Sequence, residues 1–284
     1  MRLAGAVTQG SGRVNEDGLG FVGSSGDVSA AWVLDGVTGI NSRSYLAAET
    51  DAAWLVAKAQ NHLQALAASA EPLSEIMSQL VAALIADWEM ATRGMAIPAN
   101  FDPPGACLVL AKRLGKAWQA ARLGDSCLLA NSGGGRLTAF VDSPNNVFEG
   151  WLTAEATRRR NAGVLDMKSL HAEFLPQLAE ARTLRNTPGG YSILEAHPRA
   201  MEFVQYVDLG EAKELLLCTD GYYRAVDYYA LFENEGLLAA SVAPGGVEDV
   251  LRRLRGIEAT DPECRKFPRF KPADDASAIA LVNR

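Results

Sequence analysis

The chain has 284 residues, a formal net charge of −7 and 48% hydrophobic residues. This length and composition fit one large domain with a sizeable core and argue against intrinsic disorder. The negative charge argues against a general nucleic-acid-binding protein, because such proteins normally present a positive field to phosphate backbones. The first residues carry too short an apolar run for a signal peptide, and no later run approaches a membrane span. We therefore expect a cytoplasmic protein without a membrane contact.

The first third of the sequence alternates short apolar runs with turn-forming clusters, which predicts strands over 3–8, 19–22 and 29–34. Two segments rich in Ala, Leu and Glu follow, and we predict helices over 44–68 and 73–92.

The middle of the chain returns to strand patterns separated by glycine-rich turns, which is typical of an antiparallel meander. The predicted strands are 106–111, 117–123, 127–131 and 137–141. A polar stretch with helical character then covers 153–185.

The last third contains further strands, two helical segments and a basic, proline-rich stretch before a final strand. The predicted strands are 191–194, 202–208, 214–219 and 277–282, the helices 222–238 and 247–257, and the irregular stretch 261–272. This order of elements predicts a layered α+β sandwich, since a doubly wound parallel fold would alternate strands and helices regularly.

Several hydrophobic runs stop at an aspartate, usually with a glycine beside it. These acids are Asp35, Asp125 and Asp220, and Asp274 directly precedes the last strand. An isolated Asp-Gly pair after a strand is most often a turn, but agreement among separated pairs favours delivery of carboxylates to one sheet edge. Glu16 and Asp17 could join them.

Converging carboxylates repel one another unless they are protonated or bridged by cations. Oxygen ligands suit hard ions such as Mg²⁺ and Mn²⁺, and the scattered cysteines and histidines do not favour a zinc site. Two such ions about 4 Å apart can activate a water and clamp phosphoryl oxygens. The pattern therefore indicates hydrolysis of a phosphate ester.

Five acidic motifs follow one another along the chain. They are Asn15-Glu16-Asp17, residues 33–39 around Asp35-Gly36, Leu123-Gly124-Asp125-Ser126, residues 216–221 around Asp220-Gly221, and Asp274-Asp275-Ala276-Ser277. Each motif is weak alone, but their order makes a strong collective signal. On these motifs the chain resembles the metal-dependent serine/threonine protein phosphatases of the 2C type, particularly short bacterial members.

The resemblance implies a four-layer α-β-β-α sandwich, with two central antiparallel sheets flanked by helices, over a single catalytic domain 1–284. It implies that the enzyme uses two Mn²⁺ or Mg²⁺ ions, and a third, weaker ion, to hydrolyse phosphoserine and phosphothreonine in proteins. The expected partner is a phosphorylated protein, in opposition to a serine/threonine kinase, and a monomer is favoured.

The resemblance also implies roles for single residues. Asp35 would bridge two metals and Gly36 would offer its carbonyl oxygen. Glu16 would bind one ion, and Asp220 and Asp274 the other. Two further acids complete the set: Asp125 for the third ion, and Asp17 to orient a water on the metals.

The motifs depart from the family at three places. Arg13 is the candidate clamp for the substrate phosphate, although it lies one residue closer to Glu16 than the family spacing; a surface arginine is the alternative. Val37 and Thr38 stand where eukaryotic members carry a histidine. Either acid of the Asp274–Asp275 pair could be the ligand, and alignment on Ser277 favours Asp274.

A flap or insertion at about 142–200 is longer than in relatives and could set substrate choice. Its run Arg158-Arg159-Arg160 is interpreted as a solvated helix face, with a phosphopeptide or acidic-partner site as the alternative. The basic residues Arg265, Lys266, Arg269 and Lys271 could attract anionic substrate or simply keep a loop soluble.

Two rival functions stay open: a catalytically silent phosphoprotein-binding module, and a hydrolase of small phosphate esters.

Overall fold

Two antiparallel β-sheets with helices on their outer faces form the fold. The computed structural model describes residues 1–133, 137–141, 147–163 and 167–283. The strands are β1 (Arg2–Gln9), β2 (Asp17–Ser24), β3 (Asp27–Gly36), β4 (Gly105–Leu114), β5 (Ala117–Leu123), β6 (Cys127–Asn131), β7 (Leu137–Phe140), β8 (Leu194–Glu195), β9 (Gln205–Gly210), β10 (Glu214–Cys218) and β11 (Ala276–Val282). The helices are α1 (Asp51–Leu66), α2 (Leu73–Thr92), α3 (Val147–Asn161), α4 (Met167–Arg182), α5 (Asp220–Asp227), α6 (Asn234–Val242) and α7 (Gly246–Ala259), with a 3-10 helix at Pro198–Phe203.

The two sheets have different strand orders. One runs β1-β11-β10-β6-β7 and the other β2-β3-β4-β5-β9, with β8 paired to β4. Their facing sides form an inner core that includes Val33 and Val109 from one sheet and Leu217 and Ile279 from the other. Because β10 and β11 are buried on both faces, they are almost entirely apolar instead of alternating with polar residues.

The helices close the outer faces of the sandwich. Helices α1 and α2 pack on the β2–β9 sheet, and α5, α6 and α7 pack on the β1–β7 sheet. In α2 the buried residues Leu73, Ile76, Leu80 and Leu84 recur every three or four positions, so one stripe faces the sheet. The four-layer α-β-β-α sandwich is thus confirmed. No helix in the described ranges is long and apolar enough to cross a membrane.

Helix α1 begins later than the predicted helix 44–68. Thr50 caps the helix by accepting a hydrogen bond from the Ala53 amide at 3.1 Å. The Asp51 carboxylate accepts bonds from the amides of Tyr45 and Leu46, at 2.8 and 2.9 Å, which folds residues 44–50 back over the helix start. The prediction was wrong there because composition alone does not show such a local cap.

Other boundaries differ for similar local reasons. The predicted helix 222–238 is two helices, α5 and α6, since the chain turns between them at Ala230 with φ +48°. The predicted strand at 191–194 is reduced to the short β8, and 198–203 forms the 3-10 helix instead. The helical stretch 153–185 contains two helices, α3 and α4, and residues 142–146 and 164–166 of the expected flap lie outside the described residues.

Gly124 holds the turn between β5 and β6 in a conformation that other residues tolerate poorly. Its φ is +82°, and a Cβ there would lie 2.3 Å from the Cys107 Sγ. Gly115, in the preceding hairpin turn, has φ +65° but open space around it. Replacing either glycine by alanine therefore strains the backbone, but only at Gly124 does the added methyl group also clash with a neighbour.

We expect Gly124→Ala to lower the free energy of unfolding by about 1–3 kcal/mol more than Gly115→Ala, because it overpacks the Cys107 site. Urea denaturation of both variants, followed by circular dichroism, measures this difference. Equal losses in the two variants would contradict the contact.

Candidate active site

The pairing of β2 with β3 brings the first acids together. Asp17 and Asp35 are cross-strand partners, so their side chains lie on the same face of the sheet. The Gly36 amide donates to the Glu16 carbonyl oxygen at 3.1 Å. A Cβ on Gly36 would lie 2.5 Å from that oxygen, so the close approach requires glycine.

The second sheet delivers its acids to the same end of the sandwich. Asp220 is the first residue of α5, and Thr219 alone separates it from the end of β10. Thr219 links the two sheets. The Thr219 hydroxyl donates to Asp17 Oδ2 at 2.9 Å and accepts from the Ser277 amide at 2.9 Å. Asp17 is therefore held by a residue about two hundred positions away along the chain.

The two acids of the last motif have different partners. Asp275 accepts bonds from the Ser11 amide, the Ser11 hydroxyl and the Glu16 amide, at 2.7, 2.9 and 2.7 Å. This carboxylate therefore holds the loop that precedes β2. Asp274 accepts a bond at 2.8 Å from Arg224 and forms an ion pair with Lys271.

Two carboxylate oxygens in the cluster are buried without a hydrogen-bond partner. They are Glu16 Oε1 and Asp17 Oδ1, on residues that are each 8% exposed. The other Glu16 oxygen accepts a bond from the Thr38 hydroxyl at 2.7 Å. A buried unsatisfied carboxylate oxygen is costly, and a bound cation would relieve that cost.

Burial and mutual repulsion shift the protonation of these acids. Burial, followed by the charges of Asp220 and Asp17, holds the pKa of Asp35 well above its usual range. Burial likewise raises the pKa of Asp17 to about 8. At Asp220 burial acts in the same direction, but the Arg224 guanidinium and a hydrogen bond from Asp35 outweigh it, so its pKa is lowered.

Asp125 lies in the turn between β5 and β6, close enough for its charge to raise the pKa of Asp35. It also faces Cys107, whose thiol pKa is raised first by burial and then by the charges of Asp125 and Asp35. The Gly-Asp-Ser motif is therefore part of the same electrostatic cluster.

A cleft of about 190 Å³ opens beside these acids, and Asp17, Asp125 and Asp220 are not among the residues that line it. Its lining residues are Ser11, Gly12, Val14, Glu16, Asp35, Gly36, Thr38, Lys271, Asp274 and Asp275. The oxygen-only donors and the two unpartnered oxygens fit a hard divalent cation. Within the described residues, however, no group of three or more Asp, Glu, His or Cys side chains is arranged so that it could hold a metal ion. The donors are present but are not in a finished coordination shell.

The structure does not bring Arg13 into the cleft. Its side chain is 84% exposed, and its guanidinium lies 3.0 Å from Glu49. The phosphate-clamp role therefore stays a prediction that requires this side chain to turn inward.

The basic clusters separate into structural and site residues. Arg269 is buried and pairs with Asp261 at 2.7 Å, while Arg265 pairs with Glu263. Lys271 is the member of this cluster that lines the cleft. Sequence reasoning noted it only as a long-range attractor and missed Arg224, since neither residue lies in an acidic motif.

The α3–α4 segment makes contacts on two sides of the cleft, at Thr38 and next to Lys271. Arg182 of α4 donates to the Thr38 carbonyl oxygen at 3.0 Å. Arg160 of α3, which is buried, donates to the carbonyl oxygens of Arg269 and Phe270, next to Lys271. The interpretation of Arg158-Arg159-Arg160 as a solvated face is wrong for Arg160. Its neighbours Arg158 and Arg159 pair with Glu155 on the same helix.

Residues 4–254 match the family model for protein phosphatase 2C. The chain belongs to this family. A search of curated proteins gives no significant match. The acidic motifs around Asp35, Asp125 and Asp220 fall inside the matched range, and Asp274 falls beyond it.

Solved structures of bacterial phosphatases share the fold. The Mycobacterium tuberculosis serine/threonine phosphatase PstP is 15% identical, with a TM-score of 0.56 and coverage of 99% of this chain and 98% of that one. A PstP catalytic domain in complex with two manganese ions is 18% identical, with a TM-score of 0.52 and coverage of 99% and 97%. PppA of Pseudomonas aeruginosa is 16% identical, with a TM-score of 0.53 and coverage of 98% and 96%.

The raised pKa of Asp17, about 8, makes the stability of the metal-free protein depend on pH. Between about pH 4 and pH 8 the folded state keeps a proton at Asp17 that the unfolded chain has lost. The free energy of unfolding should therefore fall as the pH rises through this window, by up to about 1.4 kcal/mol per pH unit from this group.

Asp17→Asn should flatten that slope, because the amide does not titrate and its oxygen can still accept from Thr219. Urea unfolding in the presence of a chelator at several pH values measures the slope, with the exposed acid changed in Asp249→Asn as the matched control. The same slope in Asp17→Asn and Asp249→Asn would show that Asp17 does not have a raised pKa in the folded protein.

Proposed function

We propose that the chain is a metal-dependent phosphatase that hydrolyses phosphoserine and phosphothreonine in proteins. The observation that carries the proposal is the pair of buried, unpartnered oxygens on Glu16 and Asp17, beside a cleft where Asp35 is crowded by other acids. Cations would relieve both conditions. Membership of the phosphatase family supports the reaction type.

The proposed ligands divide between the two walls of the cleft. Glu16, Asp35 and the carbonyl oxygen of Gly36 would hold one Mn²⁺ or Mg²⁺ ion, and Asp35, Asp220 and Asp274 a second. Asp125 would help to hold a third, weaker ion. When bound, the ions would supply a nucleophilic water at neutral pH and positive charge for the phosphoryl oxygens.

The chain's own side chains would position the reactants. Asp17 is held by Thr219 through Oδ2, which leaves Oδ1 free to orient the attacking water. The water forms a bond to phosphorus as the bond to the seryl or threonyl oxygen breaks, and a proton from the water passes to that oxygen, so phosphate and a free hydroxyl are released. A phosphorylated protein, the product of a serine/threonine kinase, is the partner this reaction requires.

A catalytically silent phosphoprotein-binding module is the second candidate. One observation favours it: the Asp274 carboxylate, a proposed metal ligand, is already paired with Arg224 and Lys271. Such a module would bind a phosphopeptide without releasing phosphate.

Asp35→Asn should abolish activity that the wild-type protein shows with Mn²⁺ on a phosphothreonine peptide, because Asp35 is the acid shared by both proposed ions. We expect a loss of about 100-fold or more in kcat/KM, the equivalent of several kcal/mol of transition-state charge stabilisation. Phosphate release is the measurement, and Asp249→Asn is the control.

The outcomes separate the candidate functions. Peptide binding without phosphate release would support the silent module, and turnover of p-nitrophenyl phosphate alone would support a small-ester hydrolase. Full activity in Asp35→Asn would show that the proposed ligands are wrong.

Arg13→Ala tests the proposed phosphate clamp. If the guanidinium turns inward to hold the substrate phosphate, KM for the phosphopeptide should rise about tenfold, the value of one charge-assisted hydrogen bond, with little change in kcat. Glu49→Ala, which releases Arg13 from its ion pair, should lower KM or leave it unchanged. An unchanged KM in Arg13→Ala would remove this residue from the site.

A further inference from the structure

The two walls of the cleft differ in how their acids are neutralised. One wall is lined by Glu16, Asp35 and Gly36. There Glu16 Oε1, and next to it Asp17 Oδ1, are buried without partners. On the other, Asp274 Oδ2 accepts from Arg224 at 2.8 Å and Asp274 Oδ1 accepts from the Asp275 amide at 2.9 Å. Glu16 and Asp17 thus each keep one buried oxygen without a partner, whereas both Asp274 oxygens accept a hydrogen bond.

The cations on the second wall are Arg224 and Lys271. Arg224 lies one helical turn after Asp220 in α5, and its guanidinium is 3.7 Å from Asp220 Oδ2. Lys271 forms an ion pair with Asp274 and lines the cleft. One guanidinium and one ammonium thus carry two positive charges beside Asp220 and Asp274, the same charge as one divalent ion.

These cations are held by the fold. Arg269, two residues before Lys271, donates to the Asp261 carboxylate and carbonyl oxygen, both at 2.7 Å, with its side chain 3% exposed. Arg160 of α3 binds the carbonyl oxygens of Arg269 and Phe270. Helix α3 therefore holds the backbone next to Lys271, and the ion pair with Asp274 places the ammonium at the cleft.

Resting on the proposed function, we propose that Arg224 and Lys271 take over part of the charge-neutralising role of one metal ion. The cleft then binds one Mn²⁺ tightly at the Glu16–Asp35 wall. A second ion at Asp220 and Asp274 binds more weakly, because it must displace charge-assisted hydrogen bonds from Asp274.

Isothermal titration of the chelator-stripped full chain with MnCl₂ tests this directly. We expect one tight site and a second site at least about tenfold weaker, the equivalent of one charge-assisted hydrogen bond, with the third ion proposed at Asp125 weaker still. Mn²⁺ electron paramagnetic resonance counts the bound ions independently of activity. Asp274→Asn should remove the weak site and leave the tight one.

Lys271→Met and Arg224→Met should each tighten the second site about tenfold, since each removes a competing cation. Lys266→Met, on the same loop but over the Phe267 ring, is the matched control and should change neither site. If a variant fails to fold, the wild-type stoichiometry and Asp274→Asn still decide.

Two equally tight sites in the wild-type protein, or loss of the tight site in Asp274→Asn, would overturn this inference while leaving the proposed phosphatase intact. Absence of any Mn²⁺ binding would instead overturn the proposed function, and this inference with it.

Discussion

Repulsion among buried carboxylates is the constraint on which this end of the molecule depends. The β2–β3 register places Asp17 beside Asp35. Thr219, directly after β10 in the other sheet, donates a hydrogen bond to Asp17, so the next residue, Asp220, lies close to the same two acids. Three apolar cores, one between the sheets and one under each helical layer, supply the burial that holds this arrangement together. The acids must then be protonated, paired or bound to cations, and the two walls of the cleft meet this requirement differently.

The sequence was sufficient to predict the fold and the family, and it pointed to the acids that the structure brings close together; their roles as metal ligands stay a prediction. The apolar runs that stop at Asp35 and Asp220 are enough to predict a cluster of carboxylates, because a strand that ends at a charged residue places it at the edge of the sheet. The order of such motifs then identified the family, which the family model confirms. This information is local, so a single sequence contains it.

The remainder depends on contacts between distant segments. Asp274 and Asp275 are adjacent and chemically identical, and only their partners differ: Asp275 meets Ser11 and Glu16, and Asp274 meets Arg224 and Lys271. Likewise, Arg160 is indistinguishable in sequence from its two arginine neighbours, yet it alone of the three is buried, against carbonyl oxygens more than a hundred positions away. Helix boundaries were missed for a smaller reason, because side-chain caps such as that of Asp51 override composition.

The position of β11 has a consequence for how the protein is made. This strand is the last in chain order, yet it lies between β1 and β10 inside its sheet, with all of its residues buried. The loop before β2 is held by Asp275, 264 positions from Ser11. During synthesis, the loop around Ser11 and Glu16 cannot make these contacts until the segment around Asp275 has been added, and contacts of such long range form slowly. A nascent chain that ends before Asp274 would expose two unpaired strand edges and lack both Asp274 and Asp275, so the cleft could not be completed without this segment.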